Sequence, residues 1–129
     1  MTDYFLLDDI ASYLQTSGVG TVGTNIVKGF FPNAPDSLVA VFEYSGLPPD
    51  KTANIESPQL QVRVRGTDYN TAKKKIIDCQ TALHTLWEQT INGNRYLYIS
   101  ANGSPAYMRK DANNRHEFVQ NYTVIRERD

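Results

Sequence analysis

The sequence contains few of the side chains from which catalytic and metal sites are usually built. Cys79 is the only cysteine, and His84 and His116 are the only histidines. A single cysteine excludes an intramolecular disulfide and a zinc site made of several cysteines. It is also typical of a protein that stays in a reducing cytoplasm. From this composition we expect neither a metal nor another cofactor.

An excess of one charge and a long hydrophobic run are also missing. The formal net charge is −1, whereas dedicated nucleic-acid-binding proteins usually carry a basic excess that replaces phosphate counterions. No apolar run approaches the ~20 residues of a membrane-spanning helix. Residues 1–10 contain three aspartates and no basic residue, which is the reverse of the start of a secretory signal peptide. We therefore expect no membrane segment and no dedicated nucleic-acid site.

The chain is long enough for one domain with its own core, since it has 129 residues, of which 40% are hydrophobic. We expect a single domain over residues 1–129. Apolar spacings of three and four predict helices over residues 5–16, with Asp3 as N-cap, and over residues 68–87, with Thr67 or Asp68 as N-cap. Alternating or β-branched segments predict strands over residues 25–31, 38–44, 59–65, 95–101, 106–109 and 116–126.

The order of these elements predicts the fold class. Helices and strands do not alternate strictly, which favours an α+β fold with a mostly antiparallel sheet of about five to six strands and two helices on one face. A turn rich in proline separates strands 25–31 and 38–44, which are expected to pair as a hairpin. Residues 46–58 follow neither period, and we interpret them as a long loop that becomes ordered on docking.

Three elements have well-defined faces. In strand 59–65, apolar side chains alternate with polar ones that include Arg63 and Arg65, so one face is expected in the core and the other in water or against a partner. Helix 68–87 has a predicted buried stripe that ends at Leu83 and Leu86. In strand 95–101 the alternation predicts two opposed pairs, Leu97 with Ile99 and Tyr96 with Tyr98.

Several motifs that resemble chemical sites have simpler structural interpretations. The letters GVGTVG match a dinucleotide fingerprint, but that mechanism needs a strand before the loop and a helix after it, and here the order is reversed. The pair Asp8 and Asp9 lies in the first turns of a helix, where carboxylates are favourable. Cys79 lies on the apolar stripe, and its spacing of five from His84 does not fit one helix face. The lysines at 73–75 indicate the solvated side of a helix.

The most informative segment is SPAYMRKDANNRHEFVQNYTV, residues 104–124. It predicts a hairpin whose two strands flank a charged tip. The chain also has eight tyrosines, some of which must be half-exposed on a two-layer fold, where tyrosine favours protein contact. The predicted interface residues, for a neighbouring copy or another partner, are Arg63, Arg65, Tyr107, Arg109, Lys110, Asp111 and Arg115.

This hairpin and the central segment SPQLQVRVRGTDYNTAKKKIIDCQTAL, residues 57–83, resemble small siphophage proteins of the minor capsid and tail terminator type. In the hairpin the resemblance rests on Pro105, Tyr107, Asp111, Arg115, Phe118, Asn121 and Tyr122. In the central segment it rests on Pro58, Gln61, Val62, Val64, Arg65, Tyr69 and Ala72. The element order also matches, and the resemblance covers roughly residues 57–126.

The resemblance implies a structural protein of the tail-neck junction that is made in the host cytoplasm. Such proteins form a ring of six copies on the last ring of tail tube protein, stop tube polymerisation and present a surface to head completion or connector proteins. A closed ring needs two different patches on each copy. Exposed strand edges can extend a sheet between copies, Arg63 and Arg65 can set the register, and the charged tip is expected to contact a neighbour or the tube.

Other functions remain open from the sequence. Another neck component, such as a head completion or minor capsid protein, is the alternative to a tail terminator. A small enzyme would need a convergent set of polar groups, which no motif indicates. A nucleic-acid module would use Arg63, Arg65 and the lysines at 73–75. We therefore expect a protein that works by contact with copies of itself and with other virion parts.

Overall fold

The structure is a computed structural model that describes residues 5–47 and 54–127. The helices are α1 (Leu6–Thr16) and α2 (Tyr69–Leu83). The strands are β1 (Ile26–Lys28), β2 (Leu38–Leu47), β3 (Ile55–Gly66), β4 (Leu86–Ile91), β5 (Asn94–Ala101), β6 (Ala106–Lys110) and β7 (His116–Glu127).

The strands form one sheet in the order β1-β2-β3-β7-β5-β4, with β6 also paired to β7. Strand β7 is central: it pairs with β3 along one side, and on the other side with β6 near its start and with β5 near its end. Every ladder except β1–β2 is antiparallel. The predicted α+β class is confirmed, and the described sheet has seven strands, slightly more than expected.

Both helices bury an apolar stripe against the same face of the sheet. In α1 the buried side chains include Leu6, Ile10 and Leu14, and in α2 they include Ile76 and Leu83. They pack on sheet residues that the strand registers place on one face, namely Val39, Val41, Leu60, Val62, Val64, Phe118, Tyr122 and Val124. Burial of such side chains contributes roughly 1.5–3 kcal/mol each, so this layer is a main source of the stability of the fold.

The helix ends only partly follow the prediction. Asp68 is the N-cap of α2, and its carboxylate accepts a hydrogen bond from the backbone N–H of Thr71 at 3.1 Å, as expected. The predicted cap of α1, Asp3, lies outside the described residues. The prediction that α2 reaches residue 87 is wrong, because Leu86 and Trp87 pair with β5 instead. Leu86 keeps the helical spacing from Leu83, so the apolar period alone could not mark the boundary.

Strand β4 is a strand that the sequence did not predict. It joins β5 through a two-residue turn, Asn92-Gly93, in which both residues have positive φ angles, 51° and 81°. This geometry is the preferred one for a tight hairpin. The polar residues of β4 gave no alternating pattern, since most of the strand is exposed at the sheet edge.

The expected hairpin of the first two strands is wrong, because β1 has three residues and runs parallel to β2. Ile26 lies beside Val39 and Lys28 beside Val41. The connection, residues 29–37, therefore has to return the chain to the start of β1 before β2 begins. It contains two prolines, which do not form a tight hairpin turn, and two buried arginines hold it in place, as described below.

The predicted loop over residues 46–58 is shorter than expected. Strand β2 continues to Leu47 and β3 begins at Ile55, so only 48–54 connects them, and residues 48–53 lie outside the described part of the chain. Pro58 lies where the β2–β3 ladder shifts register, and it has no paired residue in the β3–β7 ladder. Such a position tolerates a residue without a backbone N–H. The proposed ordering of this loop on docking stays a prediction.

The faces of β5 also differ from the prediction. Tyr96 and Ile99 are both fully buried, although residues three apart in a regular strand face opposite ways. The register against β7 shifts between Tyr96 and Tyr98. This β-bulge inserts one extra residue and turns Tyr96 to the same face as Ile99.

Candidate interaction surface

Arg65 does not lie on an open face of the sheet. Its side chain is 3% exposed, because the connection at residues 29–37 folds over it. The guanidinium donates to the backbone carbonyls of Pro32 at 2.7 Å, Pro35 at 2.5 Å and Asp36 at 3.3 Å. It also lies 4.9 Å from the centre of the Phe31 ring, a cation–π distance. The sequence predicted Arg65 as a wet or partner-facing residue, and its burial corrects that expectation of exposure.

Arg115 is the second buried cation that fixes the same connection. It is 5% exposed, and it donates to the backbone and side-chain oxygens of Asn33 at 2.5 and 2.8 Å and to Asp36 at 3.3 Å. It also pairs with Asp111 at 2.9 Å. The predicted charged tip of the hairpin is therefore tied to its own chain rather than open to solvent at Arg115. We call Arg65, Arg115 and residues 29–37 the arginine clamp.

The environment of the clamp changes two pKa values. Burial, followed by repulsion from Arg115, lowers the pKa of Arg65. For Asp111, desolvation alone would raise the pKa, but hydrogen bonds from Arg115 and Asn113 outweigh it and lower the pKa. The carboxylate accepts from the backbone N–H groups of Asn113 and Arg115, both at 2.9 Å. Asp111 therefore shapes the turn and holds Arg115 at once.

Arg63 and Arg109 share one buried carboxylate that the sequence did not single out. Glu117 is 2% exposed, and its Oε1 lies 3.2 Å from Arg109 Nε and 3.7 Å from a terminal nitrogen of Arg63. Glu117 is the ladder partner of Arg109 in β6, Arg63 approaches it diagonally from β3, and all three lie on the face that carries no helix. Arg109 itself is 63% exposed, so this end of the group is accessible to a partner.

Tyr107 belongs to a group of rings that we call the tyrosine cluster, formed by Tyr69, Tyr107, His116 and Phe118. The ring centroids lie 5.2–5.9 Å apart, and the Tyr107 hydroxyl is 3.1 Å from His116 Nδ1. Tyr69 and Tyr107 remain 45% and 43% exposed. The cluster lies on the helix-bearing face, since Tyr107 is paired with the core residue Phe118.

A second exposed aromatic group, the tryptophan pair, consists of Trp87 and Tyr98. Their ring centroids are 4.4 Å apart, and Trp87 is 63% exposed. Trp87, Tyr98 and Ile125 are direct neighbours across β4, β5 and β7. The neighbouring pair Leu86 and Ile99 faces the core, so the tryptophan pair lies on the opposite face, the one without helices.

A buried polar network at the other end of the sheet was also missed. Asp9 is 2% exposed, and its carboxylate accepts from Asn92 at 3.0 Å, Asn94 at 2.8 Å and the Tyr96 hydroxyl at 2.5 Å. Arg126 donates to the Tyr96 hydroxyl at 3.3 Å and to Glu56 at 2.6 Å. Burial, and then the hydrogen bond to Asp9, raise the pKa of Tyr96. This Asp9 network ties α1 to the β4–β5 turn.

Two residues that the sequence raised as possible parts of a chemical site, Cys79 and His84, occupy structural positions. Cys79 is fully buried in the core, and burial raises the pKa of its thiol to about 12. His84 Nδ1 accepts from the backbone N–H of Ala101 at 3.0 Å. A cavity of about 250 Å³ between α2 and β2 is lined partly by Arg65 and Lys75, but Lys75 donates to the carbonyl of Val19 at 2.8 Å.

Two further observations concern ions and membranes. Over residues 5–47 and 54–127, no three residues of the His, Cys, Asp and Glu types are grouped so that they could hold a metal ion. Neither described helix has the length and apolar character needed to span a membrane.

The chain matches a known family and a known fold. A sequence profile described as "Bacteriophage tail terminator protein" matches residues 13–128. The fold is similar to that of a chain in the "Virion of native gene transfer agent (GTA) particle", with a TM-score of 0.73 and 15% sequence identity over 95% of this chain and 94% of that chain. No curated protein sequence matches. The chain therefore belongs to the bacteriophage tail terminator family and is a structural component of the tail or neck of a phage virion.

Proposed function

We propose that this protein caps the tail tube as a ring of its own copies, stops polymerisation of the tube protein and forms the surface to which head completion or connector proteins bind. Six copies is the number that the family resemblance implies. The role needs contact surfaces rather than chemistry, so we also propose that the protein is not an enzyme.

The observation that most supports assembly into a ring is the presence of two different exposed aromatic groups. The tyrosine cluster and the tryptophan pair lie on opposite faces of the sheet. Exposed tyrosine and tryptophan are enriched at the centres of protein interfaces. Two unlike patches on one copy favour a head-to-tail contact, and a head-to-tail contact closes into a ring when the rotation per copy allows it.

Contact through side chains is better supported than extension of the sheet between copies. Strand β4 has an interruption at Glu88, which has a positive φ of 48° and falls out of the ladder with β5. Strand β6 has one at Met108, which falls out of the ladder with β7. Such interruptions hinder the pairing of an edge strand with another chain. A ring whose copies meet through the aromatic groups avoids this obstacle.

Native mass spectrometry over a concentration range, with and without isolated tail tubes that lack this protein, tests the proposal. We expect a six-copy assembly at high concentration or on the tube ends, and electron microscopy should show one added ring per tube. In a parallel reaction, addition of the protein to polymerising tube protein should stop elongation. A strict monomer that ignores tube ends would contradict the proposal.

Another neck component is the second candidate, because the family resemblance alone fits proteins on either side of the joint. The two roles differ in the partner that binds first. We expect the purified protein to bind tails that lack heads and not heads that lack tails. Binding to heads alone would assign it to head completion instead.

A further inference from the structure

We propose that the tyrosine cluster of one copy binds the tryptophan pair of the next copy, so that these two surfaces form the repeated contact of the ring. This inference rests on the proposed function, because it assigns the surfaces of an assembly that the structure contains only as a single chain. The partner to which it commits is a second copy of this chain, and the argument comes from charge, geometry and exposure.

The rims of the two surfaces carry complementary charge. The tyrosine cluster is flanked by Lys73, whose ammonium lies 5.6 Å from the centre of the Phe118 ring, and by Lys110, which is paired with His116 across the ladder. Neither lysine forms an ion pair with another residue in the described part of the chain. The cluster therefore offers two cations to a partner.

The tryptophan pair has an acidic rim. Glu88 follows Trp87 directly, and its side chain is 71% exposed. Glu127, 46% exposed, lies near the end of the adjoining strand, and both carboxylates share the single cation Arg95, at 3.3 and 3.1 Å. The two carboxylates and one guanidinium leave a net charge of −1. A surface with two lysines and a surface with a surplus carboxylate attract each other, whereas two copies of either surface repel.

The positions of the two surfaces favour a chain of copies over a closed pair. Tyr107 lies beside Phe118, and Tyr98 lies beside Ile125. Phe118 and Ile125 are seven positions apart in β7, which corresponds to about 23 Å of strand. Since the surfaces also lie on opposite faces, a contact between unlike surfaces leaves one of each free at the two ends. Addition of further copies can then continue until a ring closes.

Two single-surface variants test this assignment. Trp87→Ala removes the tryptophan pair, and Tyr69→Ala with Tyr107→Ala removes the tyrosine cluster. Each variant alone should lose assembly, with contact affinity more than about tenfold weaker, since aromatic residues at interface centres commonly carry such effects. An equimolar mixture should form a two-copy complex and nothing larger, because each variant supplies the surface that the other lacks. Circular dichroism verifies that both variants are folded.

A second variant tests the same contact without removing any aromatic ring, so that a loss of packing within the chain cannot explain its effect. Lys73→Glu with Lys110→Glu leaves the rings in place and reverses the rim of the tyrosine cluster, so it should weaken the same contact, by a few-fold for each lysine. The measurement is native mass spectrometry under the conditions in which the wild-type protein assembles, free or on tube ends.

The outcomes separate this inference from the proposed function. If the wild-type protein forms a ring and the mixture gives no two-copy complex, the surface assignment is wrong while the ring stands. If Trp87→Ala alone forms pairs, the tyrosine cluster binds itself, and the head-to-tail contact is rejected. If the wild-type protein assembles neither in solution nor on tubes, the proposed function itself fails.

Discussion

Several charged side chains of this protein are buried and several aromatic side chains are exposed, which is the reverse of what their residue types would suggest. Arg65, Arg115 and Asp9 are at most 5% exposed, whereas Trp87 and Tyr107 are 63% and 43% exposed. Isolated buried charges are strongly unfavourable unless they are paired and hydrogen-bonded. Here each one is held by two or three partners from distant parts of the chain, and the cost is offset.

The difference shows which residues serve the fold and which are available to a partner. The arginine clamp and the Asp9 network join segments that the sheet alone does not connect. The clamp joins the connection at residues 29–37 to β3 and to the turn before β7, and the network joins α1 to the β4–β5 turn. The tyrosine cluster and the tryptophan pair, by contrast, link strands and a helix that the sheet and the core already hold together. Substitutions should therefore divide into those that change the free energy of unfolding and those that change only association.

The largest expected effect is on the Asp9 network. Asp9→Ala removes the acceptor of two buried donors, from Asn94 and Tyr96, and of one more exposed donor, from Asn92. Since each such donor costs ~1–3 kcal/mol, we expect the free energy of unfolding to fall by about 3 kcal/mol, measured by urea denaturation.

The adjacent residue is the matched control for that variant. Asp8 pairs with Lys28, and the two side chains are 48% and 40% exposed, so Asp8→Ala should cost less than ~1 kcal/mol. Equal losses for the two aspartates would mean that the network does not hold α1 in place.

The second effect is on the arginine clamp. Arg115→Ala removes four side-chain hydrogen bonds to Asn33, Asp36 and Asp111. Because the freed oxygens regain water, we expect a loss of only about 2 kcal/mol. Amide hydrogen exchange should accelerate over residues 29–37 before it does elsewhere.

Arg95 is the matched arginine, since it forms two ion pairs while 43% of its side chain is exposed. Arg95→Ala should change the free energy of unfolding by less than ~1 kcal/mol and leave exchange at residues 29–37 unaltered. Unchanged exchange in Arg115→Ala would show that the connection is held by other contacts.

The sequence predicted what depends on local periodicity and missed what depends on distant contacts. Alternation in β3 correctly placed Val62 and Val64 in the core, and Asp68 was recognisable as a cap. The parallel pairing of β1 with β2 was not predictable, because it depends on cations more than thirty residues away in sequence that hold the connection. The alternation in β3 likewise predicted that Arg65 is exposed, because nothing in the local sequence shows that residues 29–37 cover it.

The residues predicted for the interface fall into two groups, those that the fold leaves exposed and those that it buries. The sequence selected Tyr107, Arg109 and Lys110, which are exposed and accessible, together with Arg65 and Arg115, which the fold encloses. It missed Trp87, because an apolar residue in register with a helical stripe was assigned to the helix. The β-bulge that turns Tyr96 inward has no recognisable sequence pattern either. The sequence therefore did not predict that Tyr96 contacts Asp9, and the Asp9 network was missed.

A smaller effect concerns acid sensitivity of the clamp. The pKa of Asp111 is lowered in the folded protein, so its contribution to stability is present above the unfolded value of about 4 and is lost as the pH falls below it. Asp111→Asn should therefore reduce the free energy of unfolding at about pH 7, and the difference from the wild-type protein should shrink in acid. Denaturation at a series of pH values measures it. A difference that stays constant with pH would mean that the carboxylate acts through its shape alone.

The smallest effect is on the rims of the aromatic surfaces, and it isolates contact between copies. Lys110→Glu and Glu88→Lys each place like charges across the proposed contact and should weaken association a few-fold, since partly exposed ion pairs are worth ~0.2–1 kcal/mol. The double variant exchanges the two signs, so that opposite charges again face each other across the contact, and it should regain affinity. Within one chain the two positions lie on unlike surfaces, so recovery can arise only between copies. Sedimentation at low salt measures the wild-type protein and the three variants. Additive losses in the double variant would exclude this pairing, whereas recovery that fades at high salt would identify it as electrostatic.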